Sequence, residues 1–178
     1  MVRMVDVGWV NDRCFVNNSS IGLYPKIVVR REAHERRMPK ALATVVAAFG
    51  QLRRNDRITV TIDDRRHDAW MVFVGNGRYG EGVLDLADRE SIDDNVLDVR
   101  IARADRPLAR LRIVAALLLG RLASSQAIDQ FTCTDTTLRV GRAEVEVALD
   151  GEVETLGSPL AYTSDAASLP VLVPRNTE

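Results

Sequence analysis

Two acidic stretches and one glycine-rich stretch carry the residue types from which chemistry could be built. In "ESIDDNVLDV" the carboxylates of Asp93, Asp94 and Asp98 stand beside a tight polar turn. Carboxylates next to exposed backbone carbonyls suit a hard divalent cation such as Mg²⁺, which takes one or two carboxylates and keeps several waters. On spacing alone a plain polar turn between strands is the stronger reading, because Asp and Asn tolerate left-handed backbone. In "EVALDGEVETL" the Asp150-Gly151 pair is a two-residue hairpin turn, and Glu152 opens the return strand. A carboxylate on a rigid turn can take the proton of a hydroxyl as it attacks phosphorus. Taken by itself, Glu152 is more simply a solvated edge residue.

The third stretch, "VFVGNGRYGEG" (72–82), has glycines at the dinucleotide-binding spacing after an apolar strand. That fingerprint requires a helix opening at the third glycine, since the helix N-terminus holds the pyrophosphate. The chain continues as "EGVLDLADRESIDDNVLDVRI", which has no helical apolar period and runs into another strand-like segment. The dinucleotide reading is rejected.

These residues must be positioned by a mostly β chain. With 178 residues and 46% apolar content the sequence is sized for one domain, residues 1–178, with a core of its own. A net charge of −1 and 5% aromatic content give neither a basic field nor stacking platforms, so no nucleic-acid partner is indicated. Cys14 and Cys133 fit no metal spacing and point to reduced thiols in a cytoplasmic protein. No signal peptide and no membrane-spanning run is evident; the longest apolar stretch is "IVAALLLG" (113–120).

Short strands with turn punctuation dominate. "RMVDVGWVNDRCFVNNSS" forms a hairpin about Asn11-Asp12, and "DRITVTIDDRRHDAWMVFVGN" a second near Asp64-Arg65. "NVLDVRIA" alternates, "IDQFTCTDTTLRVGRAEVEVALDGEVETL" gives a meander of three or four strands, and the tail adds one or two more. Two helices interrupt: "MPKALATVVAAFGQLRR", with Pro39 near its start and a basic last turn, and "RPLARLRIVAALLLGRLASS", with Pro107 near its start. The expected fold is therefore mainly β, an antiparallel β-sandwich with two α-helices. The second helix is apolar nearly all round, which favours burial, and its basic flanks leave interfacial docking on a bilayer open. The basic run "RREAHERRMPK" (30–40) can meet phosphates or anionic lipid, or simply pair with its own Glu32 and Glu35. His34 and His67 have no His or Cys at ligand spacing, and Asp63, Asp64 and Asp68 fit hairpin solvation. Strand edges at "VDVGWV" and "VLVP" leave pairing into a homodimer open.

The ordered series "FVNNSSIGLYP", "REAHERR…KALA", "VFVGNGRYGEG", "ADRESIDDNVLDV", "RPLARL", "VALDGEVETLGSPLAY" and "LPVLVP" resembles the C-terminal domain of the bacterial diacylglycerol kinase-like lipid kinases, relatives of the sphingosine and ceramide kinases. The resemblance covers about Val5 to Pro174. It implies a β-sandwich akin to that of NAD kinases, following an N-terminal α/β nucleotide domain whose G-G-D-G-T motif is absent from this chain. The implied reaction moves the ATP γ-phosphoryl group to a lipid hydroxyl such as that of diacylglycerol. The implied partners are the lipid, the N-terminal kinase domain and a peripheral contact with the inner membrane surface, in a cytoplasmic setting. Carried over by position, Glu152 matches the proton acceptor of the family's D-G-E turn, with Asp150 beside it. Ser91, Asp94 and Val96 match its Mg²⁺ loop, Asp94 through its side chain and the other two through backbone carbonyls. "GNGRYG" matches a glycine turn where backbone passes close to its neighbours. Asn95 stands where the family usually has glycine, a position Asn can fill in left-handed backbone. Half a kinase holds half a cleft, so the isolated chain is expected to be inactive. The alternative from another class is a non-catalytic module that binds lipid or a partner protein.

Overall fold

The structure, a computed structural model, describes residues 1–22, 57–80, 89, 91–105 and 128–173. Both expected helices, over 38–54 and 106–125, and the basic run 30–40 lie outside the described residues.

Among the described residues eleven strands form one curled antiparallel sheet. They are β1 (Val2–Val10), β2 (Arg13–Phe15), β3 (Asn18–Gly22), β4 (Ile58–Ile62), β5 (Arg65–Asn76), β6 (Leu97–Arg103), β7 (Ile128–Cys133), β8 (Asp135–Val140), β9 (Glu144–Leu149), β10 (Glu152–Gly157) and β11 (Leu160–Leu172). The order is β10-β9-β3-β5-β4-β8-β11-β1-β2, with β6 on β5 and β7 on β6. Strand β5 is the corner. Its first residues, 65–69, pair with β4, and its later ones, 69–76, lie between β3 and β6. One strand thus belongs to both layers of a sandwich, as strands at such corners do.

The local pattern explains the strands. In β4, β-branched residues alternate so that Ile58, Val60 and Ile62 face inward while Thr59 is exposed. Asp63 and Asp64 then turn the chain at φ 44° and 66°, the positive values a tight two-residue hairpin needs. Between the layers pack Val10, Phe15, Ile21, Val72, Val74, Leu97, Leu138, Val147, Leu160 and Tyr162. Each such side chain contributes roughly 1.5–3 kcal/mol on leaving water. The Tyr162 hydroxyl on β11 meets the buried Ser19 hydroxyl on β3 at 2.9 Å, which ties the layers together.

Two sequence expectations change. The hairpins β1–β2, β4–β5 and β9–β10 form as read, but 128–157 is not a meander. A single residue, Thr134, separates β7 from β8, too few to reverse the chain, so β7 pairs with β6 while β8 pairs with β4 and β11. The tail forms one long strand, β11, within the one or two expected. Lastly, β6 alternates in sequence, yet its polar face is buried too: Asp98 and Arg100 are 1% and 3% exposed.

Candidate functional site

Four segments meet where the chain crosses between layers: the loop 16–18, the turn 150–152, the glycine turn 76–80 and the loop 91–96. Asp150 and Gly151 take φ of 50° and 101°, which sets a tight hairpin and leaves Glu152 as the first residue of β10. The Asp150 carboxylate accepts three successive backbone N–H groups, from Val16 at 2.7 Å, Asn17 at 2.7 Å and Asn18 at 2.9 Å. The Asp150 N–H returns a bond to the Asn18 carbonyl at 2.9 Å. Asp150 is thereby spent on holding the turn. Glu152 is exposed and accepts no hydrogen bond from the described residues, so its carboxylate is free to face a reactant.

Asn76, 1% exposed, links this turn to the rest. Its N–H donates to the Asn17 carbonyl (2.9 Å), and its side-chain amide donates to the carbonyls of Asp6 (2.8 Å) and Val16 (3.0 Å). Next in the chain, Gly77 has φ 82° and donates its N–H to the Val96 carbonyl at 2.9 Å. A Cβ there would stand 2.1 Å from the Ser91 carbonyl oxygen, so only glycine lets the 91–96 loop lie this close. Tyr79 folds its ring over Gly75 and donates its hydroxyl to the Asn17 carbonyl at 2.8 Å. Burial raises the Tyr79 pKa, and nearby Arg89 partly opposes that shift. Arg89 stacks over the same ring and donates to the carbonyls of Val16 and Asn76 and to Asn17 Oδ1.

The three acids of the 91–98 stretch have separate fates. Asp93 is paired on the surface with Arg3 at 2.6 Å, and that hydrogen-bonded pair holds its pKa below the usual carboxylate range. Asp98 is buried against Arg100 at 2.7 Å and also accepts from Gln130 and the Tyr79 N–H. Arg100 in turn donates to the carbonyls of Tyr79 and Gly80. This pair therefore holds the glycine turn. Only Asp94 has spare capacity: Oδ2 accepts from Arg78 Nε at 3.0 Å, while Oδ1 is buried and accepts nothing among the described residues.

An orphaned, buried carboxylate oxygen is costly unless a cation or donor meets it. Ser91, Asp94 and Val96 therefore fit a hard cation, offering one carboxylate oxygen and two carbonyls. The Val96 carbonyl keeps a lone pair beyond the bond from Gly77. Among the described residues no three His, Cys, Asp or Glu side chains converge, so carbonyls must supply the remaining donors. Asn95 takes φ 52°, so the turn keeps the left-handed geometry expected of its usual glycine.

The hydrogen bonds through 16–18 and 76–77 connect the 150–152 turn with the 91–96 loop; Glu152 and Asp94 form no bond with each other. Sequence reasoning passed over Asp6, Asn76, Arg89 and Arg100. Available clues were an acid flanked by apolar residues in "MVDVGW" and opposite charges two apart on one strand face at Asp98 and Arg100. His67 is half-buried on β5, away from these segments in the pairing, and makes no metal cluster.

The model of the YegS C-terminal NAD kinase beta sandwich-like domain matches residues 22–173. The chain belongs to this family. Three solved structures from Bacillus anthracis str. Sterne share the fold, one described as a diacylglycerol kinase and two given that activity provisionally. The first has a TM-score of 0.66 at 20% identity, covering 96% of this chain and 56% of that one. The second has 0.59 at 18%, covering 96% and 53%. The third has 0.64 at 19%, covering 96% and 57%. The chain thus spans just over half the length of these neighbours.

Proposed function

We propose that residues 1–178 form the C-terminal domain of a lipid kinase, which transfers the γ-phosphoryl group of ATP to the hydroxyl of a lipid such as diacylglycerol. ATP is held in company with an N-terminal nucleotide-binding domain, and the lipid acceptor brings the pair to a membrane surface in the cytoplasm. The observation that carries the reading is the 150–152 turn. Family membership is joined there to an exposed carboxylate on a hairpin whose neighbour, Asp150, is fixed by three amide bonds of 2.7, 2.7 and 2.9 Å.

Glu152 accepts the proton of the lipid hydroxyl while that oxygen forms its bond to the γ-phosphorus. The bond from phosphorus to the β–γ bridging oxygen breaks, and ADP leaves. Such transfer depends on placing the attacking oxygen in line, so a rigid turn matters more than a strong base. Asp150 positions Glu152 by anchoring the hairpin to loop 16–18. Mg²⁺, when bound by Asp94 Oδ1 and the carbonyls of Ser91 and Val96, supplies positive charge that offsets the carboxylates and stiffens the loop.

The test combines this chain with a supplied N-terminal domain of a related kinase and follows ³²P transfer from ATP to diacylglycerol. Wild-type chain should support labelling. Glu152→Gln should lower it by at least about 100-fold, the lower range for a lost general base, with unchanged circular dichroism. Labelling by the variant at wild-type rate overturns the assignment of Glu152. Lipid binding without labelling by the wild type favours the non-catalytic binding module.

A further inference from the structure

Asp6 is 3% exposed in β1, at the point where the β1–β11 register slips. Val5 faces Leu169 and Val7 faces Asp165, so Asp6 alone stands opposite residues 166–168. Its Oδ1 accepts the N–H of Ala167 at 2.8 Å, and its Oδ2 accepts the N–H of Asn95 at 2.6 Å. Both donors lie in left-handed backbone, at φ 49° and 52°, where a side chain is tolerated only if its surroundings hold it. The Asp6 N–H donates to the Ile92 carbonyl at 3.0 Å, and its own carbonyl accepts from Asn76.

Asp6 is thus a buried carboxylate that pairs with no Lys or Arg among the described residues; its partners are amides. A buried charge is normally compensated by an opposite one. The missing positive charge is of the kind a divalent cation in the adjoining 91–96 loop would supply. In the same ribbon Met1 and Val173 exchange bonds of 2.9 and 3.0 Å, and Arg3 reaches from it to Asp93.

We propose that Asp6 is the positioning residue of the 91–96 loop, fixing the backbone that presents Asp94 and the Val96 carbonyl, and that it makes cation binding there and closure of the β1–β11 ribbon one coupled event. This rests on the reading of that loop as a hard-cation site. Coupling is reciprocal: whatever closes the ribbon tightens the cation, and the cation steadies the ribbon.

The experiment is a MgCl₂ titration of the ¹⁵N-labelled 178-residue chain by NMR. The shifts of residues 94–96 give the dissociation constant, and amide exchange is measured at Ala167. In the wild type, Mg²⁺ should move the loop amides and slow exchange at Ala167. Asp6→Asn keeps the size but turns one acceptor into an NH₂ facing an N–H. It should weaken Mg²⁺ binding on the order of 10-fold, as loss of an outer-shell support does, and abolish the effect at Ala167. A purely structural Asp6 would lower stability and leave the Mg²⁺ affinity of the folded variant unchanged, which overturns the proposal while the cation site stands. If Asp6→Asn does not fold, the wild-type exchange decides: Mg²⁺ binding with no change at Ala167 overturns it. A wild type that ignores Mg²⁺ defeats the cation reading and this inference together.

Discussion

Replacing Asp150 with glycine separates two effects of opposite sign at one residue. The residue sits at φ 50°, where an L side chain costs roughly 1–2 kcal/mol, so glycine relieves about 1 kcal/mol of backbone preference. Against that stand the three hydrogen bonds from Val16, Asn17 and Asn18 at 2.7, 2.7 and 2.9 Å. Charged acceptors can be worth more, but Asp150 is exposed and water replaces part of each bond, so about 1 kcal/mol apiece is appropriate. The net for Asp150→Gly is a loss of about 2 kcal/mol. Asp150→Ala loses the same bonds without relief of the backbone and should cost about 3–4 kcal/mol. Asp150→Asn keeps one acceptor oxygen and the turn conformation, and should cost about 1 kcal/mol. Urea unfolding followed through tryptophan fluorescence, to which Trp9 and the 1% exposed Trp70 contribute, gives the three values. A glycine variant as stable as the wild type, or more so, would refute the claim that this carboxylate anchors the site.

Buried groups elsewhere give two more expected outcomes. Arg100→Met strands the Asp98 carboxylate, 1% exposed, and should cost roughly 3–5 kcal/mol in thermal unfolding, much of it recovered by adding Asp98→Asn; a cost under about 1 kcal/mol for the single change would contradict the pairing. Burial pushes the Cys133 thiol up to about 11, so at pH 8 only about one molecule in a thousand carries the thiolate; iodoacetamide should label exposed Cys14 well before Cys133 in peptide mass spectra, and the reverse order would contradict it.

Local chemistry was legible in the sequence, and long-range pairing was not. Asn11-Asp12 and Asp150-Gly151 announced their hairpins because a two-residue turn is decided by its own residues and the strands beside it. The left-handed Asn95 was expected from the resemblance, which sets it where the family usually has glycine. Thr134 gave no comparable sign that β7 and β8 belong to different pairings, since strand order is settled by which faces meet across the core. Nor did the alternation in "NVLDVRIA" show that its polar face is covered. Asp98 and Arg100 can be buried only because they neutralise each other and hold the turn at 77–80, a relation that exists in the folded chain.

The candidate site shows how weak local signs gain meaning from position. Four acids near it, Asp93, Asp94, Asp150 and Glu152, look alike in sequence, yet the fold gives them different surroundings. Asp93 is occupied by Arg3 and Asp150 by three amides, while Asp94 keeps one buried oxygen without a donor and Glu152 stands exposed. A carboxylate already filled with donors has little left for a cation or a proton. The two that are unfilled differ in setting: a buried oxygen favours a permanent charge partner, and an exposed one suits a transient proton. The proposed assignment of Asp94 to a cation and Glu152 to proton transfer therefore draws on what each oxygen lacks as well as on family membership.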